Sequence, residues 1–157
     1  MATRLPDVQV WATDRSAAAA AVARANLAGI GSAATRVRIA EGDWCDAIPD
    51  DLRGSFDLIV SNPPYIAERE LADLPPEVLH YEPIGALVSG PTGLEAIERV
   101  IADTPEYLTP RRGTLVLEIA PHQSAAAQAR AEDAGFAEIL VERDLSGRDR
   151  VLIARGG

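Results

Sequence analysis

The chain has no lysine at all and is poor in cysteine and aromatic residues. A single cysteine among 157 residues allows no disulfide within the chain, which is typical of a protein from a reducing compartment. No apolar run approaches the roughly 20 residues needed to cross a bilayer. No basic segment followed by an apolar one marks a secretion signal at the start. We therefore expect a cytoplasmic protein with no membrane partner.

Positive charge is also scarce, because 15 arginines face 24 acidic residues and the formal net charge is −9. Nucleic acid presents closely spaced negative phosphates, and tight binding to it usually requires a basic patch. The nearest features are Arg111–Arg112 and the pair Arg148 and Arg150, and groups of that size are usually ordinary solvated charge. The composition therefore argues against direct nucleic-acid binding.

Predicted strands and helices alternate along the chain, which indicates an α/β fold. Strands are predicted at residues 8–13, 36–40, 56–61, 114–119, 139–141 and 151–154, and helices at 17–28, 94–108 and 124–134. Ser16 is the expected N-cap of the first helix, and Gly29 and Gly135 are expected to end the first and last. Residues 66–93 hold four prolines and predict an ordered functional loop with one short helix.

The hydrophobic fraction of 47% is enough for one core, so we expect a single domain over residues 1–157. The alternation predicts a mostly parallel, doubly wound sheet whose strands are buried between helices. The last two strands are joined by a short polar turn, so the final strand should be antiparallel.

In open α/β sheets, ligands bind at the carboxyl ends of the strands. The tetrapeptide Asn62–Pro63–Pro64–Tyr65 follows one such strand, and its prolines hold the backbone rigid. A side-chain carbonyl and a proline backbone carbonyl, with an aromatic ring beside them, suit a planar group ending in –NH2, such as adenine, cytosine or a carboxamide. Accepting both N–H bonds would orient that nitrogen for attack on an electrophile. The alternative is a plain proline-rich turn.

Two acidic positions follow the earlier strands. The Asp14 carboxylate could accept hydrogen bonds from both hydroxyls of a ribose, or could simply favour the start of the next helix. The Asp43 carboxylate and the Trp44 ring could accept from and flank an adenine, or could be a surface acid beside a core tryptophan.

Other features carry less weight. Residues 29–34 match a glycine-rich phosphate pattern but follow a helix, which is the wrong order for that site. His80 and His122 lack partners at ligand spacing, so we predict no metal site. Cys45 has no evident base beside it, and Glu118 is either a cleft residue or the cap of the next helix.

Together these features resemble the class I S-adenosylmethionine-dependent methyltransferases, and within them the HemK-like release-factor glutamine-N5 methyltransferases. The supporting segments are Ala12–Arg15, Gly42–Trp44, Val60–Ile66, Tyr81–Pro83 with Ala86–Leu87, Leu117–Ile119 and Asp149–Val151. Asn-Pro-Pro-Tyr is shared with adenine and cytosine amino-methyltransferases, whereas the Tyr-Glu-Pro stretch favours the glutamine enzymes.

The resemblance implies a Rossmann-like fold that methylates the glutamine of the Gly-Gly-Gln motif in peptide chain release factors, using S-adenosyl-L-methionine. It implies that Asp14 holds the ribose and that Asp43 and Trp44 contact the adenine. It implies that Asn62 lies between cofactor and substrate, while Pro63 and Tyr65 complete the grip on the amide, with Pro64 beside them.

The chain departs from the family pattern in lacking the helical N-terminal domain and the first strand with its glycine-rich loop. That strand would lie between the strands ending at Asp14 and Ser61, so we expect an unpaired sheet region through which copies could associate. We also expect this chain alone to bind S-adenosylmethionine weakly or not at all. The rival interpretations are a nucleic-acid amino-methyltransferase, which a basic cleft would favour, and a non-catalytic remnant that binds proteins.

Overall fold

The computed structural model describes residues 1–156, and the chain divides into two compact units, Met1–Leu52 and a second beginning at Arg53. Whether the units form the single domain expected from the sequence stays a prediction. Among residues 1–156, no helix combines the length and the apolar character that crossing a bilayer demands.

The first unit consists of two parallel strands and one helix. Strand β1 (Val10–Asp14) leads into helix α1 (Ala17–Leu27) and then strand β2 (Val37–Glu41), with Val10 opposite Val37 and Asp14 opposite Glu41. Helix α1 forms because its segment is rich in alanine, the best helix former. Ser16 caps it as predicted, since its side chain accepts a hydrogen bond from the Ala19 N–H at 3.2 Å.

Gly29 directly follows the C-cap residue Ala28, at the predicted position after the helix, but it does not take the left-handed conformation common there. Helix α1 ends at Leu27, and the chain continues as a tighter 3-10 helix over Ala28–Arg36. The left-handed glycine is Gly31, with φ +59°. The 3-10 continuation takes up the last carbonyls of α1, so the reversal comes two residues later than expected.

The second unit is built on a four-stranded sheet. Its elements are β3 (Leu58–Ser61), α2 (Pro76–Tyr81), α3 (Ile84–Leu87), α4 (Glu95–Tyr107), β4 (Thr114–Glu118), α5 (Ser124–Asp133), β5 (Phe136–Arg143) and β6 (Asp149–Gly156). The strands lie in the order β3-β4-β6-β5. Strands β3 and β4 are parallel, and β6 lies antiparallel between β4 and β5. The predicted antiparallel final strand is confirmed, and Gly135 ends α5 with φ +86°.

Residues 66–93 form more helix than the single short one predicted. They contain a 3-10 helix at Glu68–Asp73, helix α2 at Pro76–Tyr81 and helix α3 at Ile84–Leu87. Proline is favoured at the first position of a helix, and it stops a preceding helix from continuing because it has no backbone N–H to donate. Pro76 therefore starts α2 and Pro83 separates it from α3, which keeps each helix short.

The strands that end at the candidate site are less buried than predicted. No residue of β1 is fully buried, and in β3 the side chains of Leu58 and Val60 are 39% and 60% exposed. Each strand lies at an edge, since β1 pairs with β2 and β3 pairs with β4, in separate sheets. An edge strand lacks a neighbour on one side, which leaves its side chains more open to water. The unpaired sheet region expected beside these two strands is therefore present, although the alternation within each strand does not indicate it.

Candidate functional site

The first group of candidate residues forms at the carboxyl end of β1. Asp14 is the last residue of that strand, and its backbone carbonyl accepts a hydrogen bond from the Gly42 N–H at 3.1 Å. Gly42 directly precedes Asp43 and Trp44. The structure therefore brings Asp43 and Trp44 close to Asp14, the other acidic position predicted from the sequence. Parallel pairing of β1 with β2 produces this result, because the carboxyl ends of parallel strands share one edge.

The Asp14 side chain is exposed and only partly used by the protein. One carboxylate oxygen, Oδ1, accepts the Ser16 N–H at 2.8 Å. Within residues 1–156 the other oxygen has no hydrogen-bond partner, so it can accept from a ligand hydroxyl. The turn to Ser16 fixes the orientation of the carboxylate before any ligand arrives.

Trp44 has a backbone conformation that a bulky residue rarely adopts, with φ +47°. It begins a 3-10 turn, Trp44–Ala47, which packs against β1, and its ring is half-buried. An ideal Cβ placed on Gly42 would lie 2.8 Å from the Ala47 Cβ, so the turn requires glycine there. Strained backbone of this kind concentrates at functional sites. An exposed carboxylate and a flat ring beside Asp14 fit the hydroxyls and base of a nucleoside.

The Asn62–Tyr65 tetrapeptide lies in the second unit and follows β3 directly. Pro63 is fully buried, whereas Pro64 and Tyr65 are half-buried. Asn62 is exposed, and its side chain makes no hydrogen bond to any of the described residues. A buried proline therefore anchors the segment and leaves the neighbouring amide free to bind a ligand.

The chain leaving the tetrapeptide is held by backbone hydrogen bonds. The Ile66 N–H donates to the Leu87 carbonyl at 3.0 Å, and the Ile66 carbonyl accepts from the Ser89 N–H at 2.9 Å. The Glu68 N–H donates to the Gly90 carbonyl at 2.9 Å. These bonds join the two ends of the long loop, which is consistent with the predicted ordered loop.

Gln123 was not among the residues predicted from the sequence, yet its side-chain amide donates a hydrogen bond to the backbone carbonyl of Tyr65 at 3.0 Å. The bond joins residues 58 positions apart, so no local pattern could reveal it. The one available signal was a large amide beside the predicted start of α5. The role left open for Glu118 can also be narrowed to one of the two alternatives. Its carboxylate lies 3.7 Å from the guanidinium of Arg150 in β6 and does not cap α5.

Glu95, at the start of α4, orders the turn before that helix. Burial alone would raise the pKa of its carboxyl, but hydrogen bonds from the Thr92 N–H and hydroxyl, both at 2.9 Å, hold this pKa below its usual value. The carboxylate therefore stays charged and fixes the residues around Gly93.

Metal ligation has no support in the described part of the chain. No group of three or more His, Cys, Asp or Glu side chains within residues 1–156 is arranged to hold a metal ion. His80 instead bonds through Nδ1 to the Pro76 carbonyl of its own helix at 2.6 Å, and His122 is exposed.

Comparison with known proteins gives one family and a consistent set of relatives. The methyltransferase small domain family matches residues 1–79, half of the chain. A release factor glutamine methyltransferase from Cereibacter sphaeroides is 45% identical over 144 residues, covering 92% of this chain and 50% of that protein. Another, from Bordetella pertussis, is 44% identical over 146 residues, covering 93% and 52%. The chain spans about half the length of these curated relatives.

Solved structures share the fold. A ribosomal protein L11 methylase from Lactobacillus delbrueckii matches with a TM-score of 0.62 and 20% identity, covering 95% of this chain and 59% of that one. A release-factor-specific protein-(glutamine-N5) methyltransferase from Alicyclobacillus acidocaldarius matches with a TM-score of 0.50 and 23% identity, covering 96% and 81%. The fold is therefore that of the class I methyltransferases.

Proposed function

Because the chain belongs to the methyltransferase small domain family, we propose that it methylates a side-chain amide of a protein. The methyl donor is S-adenosylmethionine, and the acceptor is the glutamine of the Gly-Gly-Gln motif in a peptide chain release factor. Relatives named release factor glutamine methyltransferase, at 45% and 44% identity, support this choice of substrate. The observation that carries the proposal is the exposed, unbonded Asn62 amide on a proline-stiffened turn at the end of β3.

The tetrapeptide can hold a primary amide through two acceptors. The Asn62 side-chain oxygen takes one N–H of the substrate, and the Pro63 backbone carbonyl takes the other. An amide nitrogen is a poor nucleophile because its lone pair is delocalised into the carbonyl. Two fixed acceptors favour the pyramidal form, in which the lone pair becomes available for bonding. Tyr65 supplies a ring face against the planar amide, and Pro64 keeps the turn rigid.

The residues of the first unit suit the nucleoside part of the donor. Asp14 has a free carboxylate oxygen for the ribose hydroxyls, while Asp43 and Trp44 offer an acceptor and a ring for the adenine. When bound, S-adenosylmethionine supplies a methyl group on a positively charged sulfur. The role of this chain is to bind that group and to orient the nitrogen that accepts the methyl.

The charge of the loop after the tetrapeptide disfavours the nucleic-acid alternative. Between Ile66 and Leu87 the sequence has five acidic residues and one arginine. A phosphate backbone would meet repulsion there, whereas a protein substrate with basic residues would not. The segment following the amide-binding turn therefore supports a protein acceptor.

The proposal is tested with the full chain, a purified release factor and methyl-labelled S-adenosylmethionine at millimolar concentration, since we expect weak cofactor binding. We expect label on the glutamine of the Gly-Gly-Gln peptide, located by mass spectrometry. Asn62→Ala should lower the rate by about 100-fold, the usual cost of losing one oriented hydrogen-bonding group. Asn26→Ala changes the other asparagine of the chain, an exposed residue of α1, and should leave the rate unchanged.

Cofactor binding is tested separately by calorimetric titration. Asp14→Asn should weaken binding relative to Asp7→Asn, which alters an exposed aspartate of the same unit. Transfer to an oligonucleotide and not to the release factor would favour the amino-methyltransferase of nucleic acids. Absence of transfer to either, together with intact folding, would indicate a non-catalytic remnant.

A further inference from the structure

Gln123 occupies a buried position where three separate segments meet. It is 2% exposed and lies between β4 and α5. Its Oε1 accepts the Ala120 N–H at 3.1 Å, and its Nε2 donates to the Tyr65 carbonyl at 3.0 Å and to the Gly93 carbonyl at 2.9 Å. Both donors of the amide and one acceptor are therefore used, which fixes the side chain in a single orientation.

The bond to Tyr65 has no substitute among the described residues. The Tyr65 carbonyl accepts no backbone N–H within residues 1–156, so Gln123 alone satisfies it. Gly93 makes this approach feasible. A Cβ at Gly93 would lie 2.6 Å from the Tyr65 oxygen and 3.2 Å from Nε2 of Gln123, and its φ is +83°. Any side chain at this position would disrupt the arrangement.

The same stretch of chain also holds the other end of the tetrapeptide. Ser61, directly before Asn62, pairs with Leu117 of β4. Tyr65, at the far end, bonds to Gln123, which lies just beyond β4. The two residues between Asn62 and Tyr65 are prolines, whose fixed φ transmits a constraint at one end to the other. Residues 117–123 therefore hold the turn at both ends.

We propose that Gln123 is a positioning residue that fixes the geometry of the Asn62–Tyr65 turn through the Tyr65 carbonyl. This inference rests on the proposed function, in which that turn grips the substrate amide. Gln123 is 2% exposed, and its hydrogen bonds all go to backbone groups of the chain. It holds the backbone so that the Asn62 oxygen and the Pro63 carbonyl keep the relative orientation that the amide requires.

The direct test compares Gln123→Met, which keeps the length of the side chain and removes its hydrogen bonds, with the matched control Gln128→Met. Gln128 is a half-buried residue of α5 whose amide bonds only to Ser124 in its own helix. In the release-factor assay, Gln123→Met should lower kcat by about 100-fold, the effect of misplacing a reacting group by about 1 Å. The KM for the release factor should change little, and Gln128→Met should behave like the unsubstituted protein.

A spectroscopic measurement tests whether Gln123 fixes the Asn62–Tyr65 turn and does not depend on enzymatic activity. The chain has two asparagines, Asn26 and Asn62, so isotope labelling of asparagine alone gives a simple nuclear magnetic resonance spectrum. Gln123→Met should shift or broaden the Asn62 signals and leave those of Asn26 in place, whereas Gln128→Met should move neither.

The outcomes separate the two proposals. An unsubstituted chain that methylates no release factor contradicts the proposed function, while the Asn62 signals still decide whether Gln123 fixes the turn. Unmoved Asn62 signals, or an unchanged kcat, would overturn the positioning role. If Gln123→Met does not fold, Gln123→Glu retains the acceptor for Ala120, replaces the donating –NH2 with oxygen and is judged by the same two readouts.

Discussion

The two units of the molecule differ in what they bury. In residues 1–52, the buried hydrophobic residues are Ala2, Ala20 and Ala33. In the second unit, the fully buried side chains include large ones, among them Ile97, Ile101, Leu115, Leu117, Ile119 and Leu152. Burying a large aliphatic side chain contributes about 1.5–3 kcal/mol, and alanine contributes much less. A two-stranded sheet with an alanine core is a weakly stabilised frame.

This difference matches the chemistry proposed for each unit. The residues suited to a nucleoside lie on the weakly packed frame, where short local turns such as the one from Asp14 to Ser16 set their orientation. The turn suited to the substrate amide lies on the well-packed one, with both of its ends fixed. Orientation of a reacting nitrogen tolerates little error, whereas binding of a remote part of the donor tolerates more.

Native-state hydrogen exchange should give the largest contrast. Amides of β4 and β6 lie in the interior of the four-stranded sheet and should exchange only through global opening. Amides of β1 and β2 should exchange on the order of 1000-fold faster, because local opening of the first unit disrupts no large buried side chain. Equal protection in both sheets, measured by mass spectrometry at neutral pH, would remove the distinction between the units.

A pair of isoleucine substitutions tests the same contrast by stability. Ile101 of α4 is 1% exposed, whereas Ile39 of β2 is half-buried. Ile101→Ala should lower the free energy of unfolding by about 3–4 kcal/mol, because it leaves a cavity. Ile39→Ala should cost less than about 1.5 kcal/mol, since its surroundings are already partly open to water. Chemical denaturation followed by circular dichroism measures both, and equal losses would contradict the expectation.

The elements of the fold follow from local sequence, and this explains what could be predicted. Alternation of strands and helices, the Ser16 cap and the turn at Gly135 all depend on residues close together in the chain. The rigidity of the Asn62–Tyr65 turn follows equally from its two prolines.

What could not be predicted depends on residues far apart. The exposure of Val60 reflects which strands lie beside β3, and a strand's own alternation says nothing about that. The contacts of Gln123 join segments separated by 58 and 30 residues. In the sequence, Gln123 looks like any other polar residue near the start of a helix, and only the tertiary structure shows its partners.

Two glycines, one in each unit, sharpen the comparison further. Gly93→Ala would force a side chain into the left-handed region and against the Tyr65 oxygen, so we expect a loss of about 2 kcal/mol in unfolding free energy. Gly29 has open space around it and no positive φ. Gly29→Ala should therefore be neutral or slightly stabilising, because alanine restricts the unfolded chain. Thermal unfolding of the two variants checks this, and a neutral Gly93→Ala would show that the second unit adapts more easily than its packing indicates.

The smallest expected effect concerns two turn aspartates, one in each unit. Asp144 accepts hydrogen bonds from the Ser146 hydroxyl, the Arg148 N–H and the Ser146 N–H, and these lower the pKa of its carboxyl from 3.8 to about 2. Because the folded state favours the charged form, the stabilisation is complete above about pH 4. It is lost as the pH falls through about 2.

Asp144→Asn should therefore destabilise the protein modestly at neutral pH, and the difference from the unsubstituted chain should shrink as the pH falls from about 4 toward 2. Asp14→Asn makes the same substitution in the first unit. It should lower the free energy of unfolding at neutral pH by less than Asp144→Asn does, since Asp14 accepts one such hydrogen bond, from the Ser16 N–H. Denaturant titrations at several pH values measure both variants. A difference for Asp144→Asn that stays constant down to pH 2 would show that the hydrogen bonds of this turn do not depend on its charge.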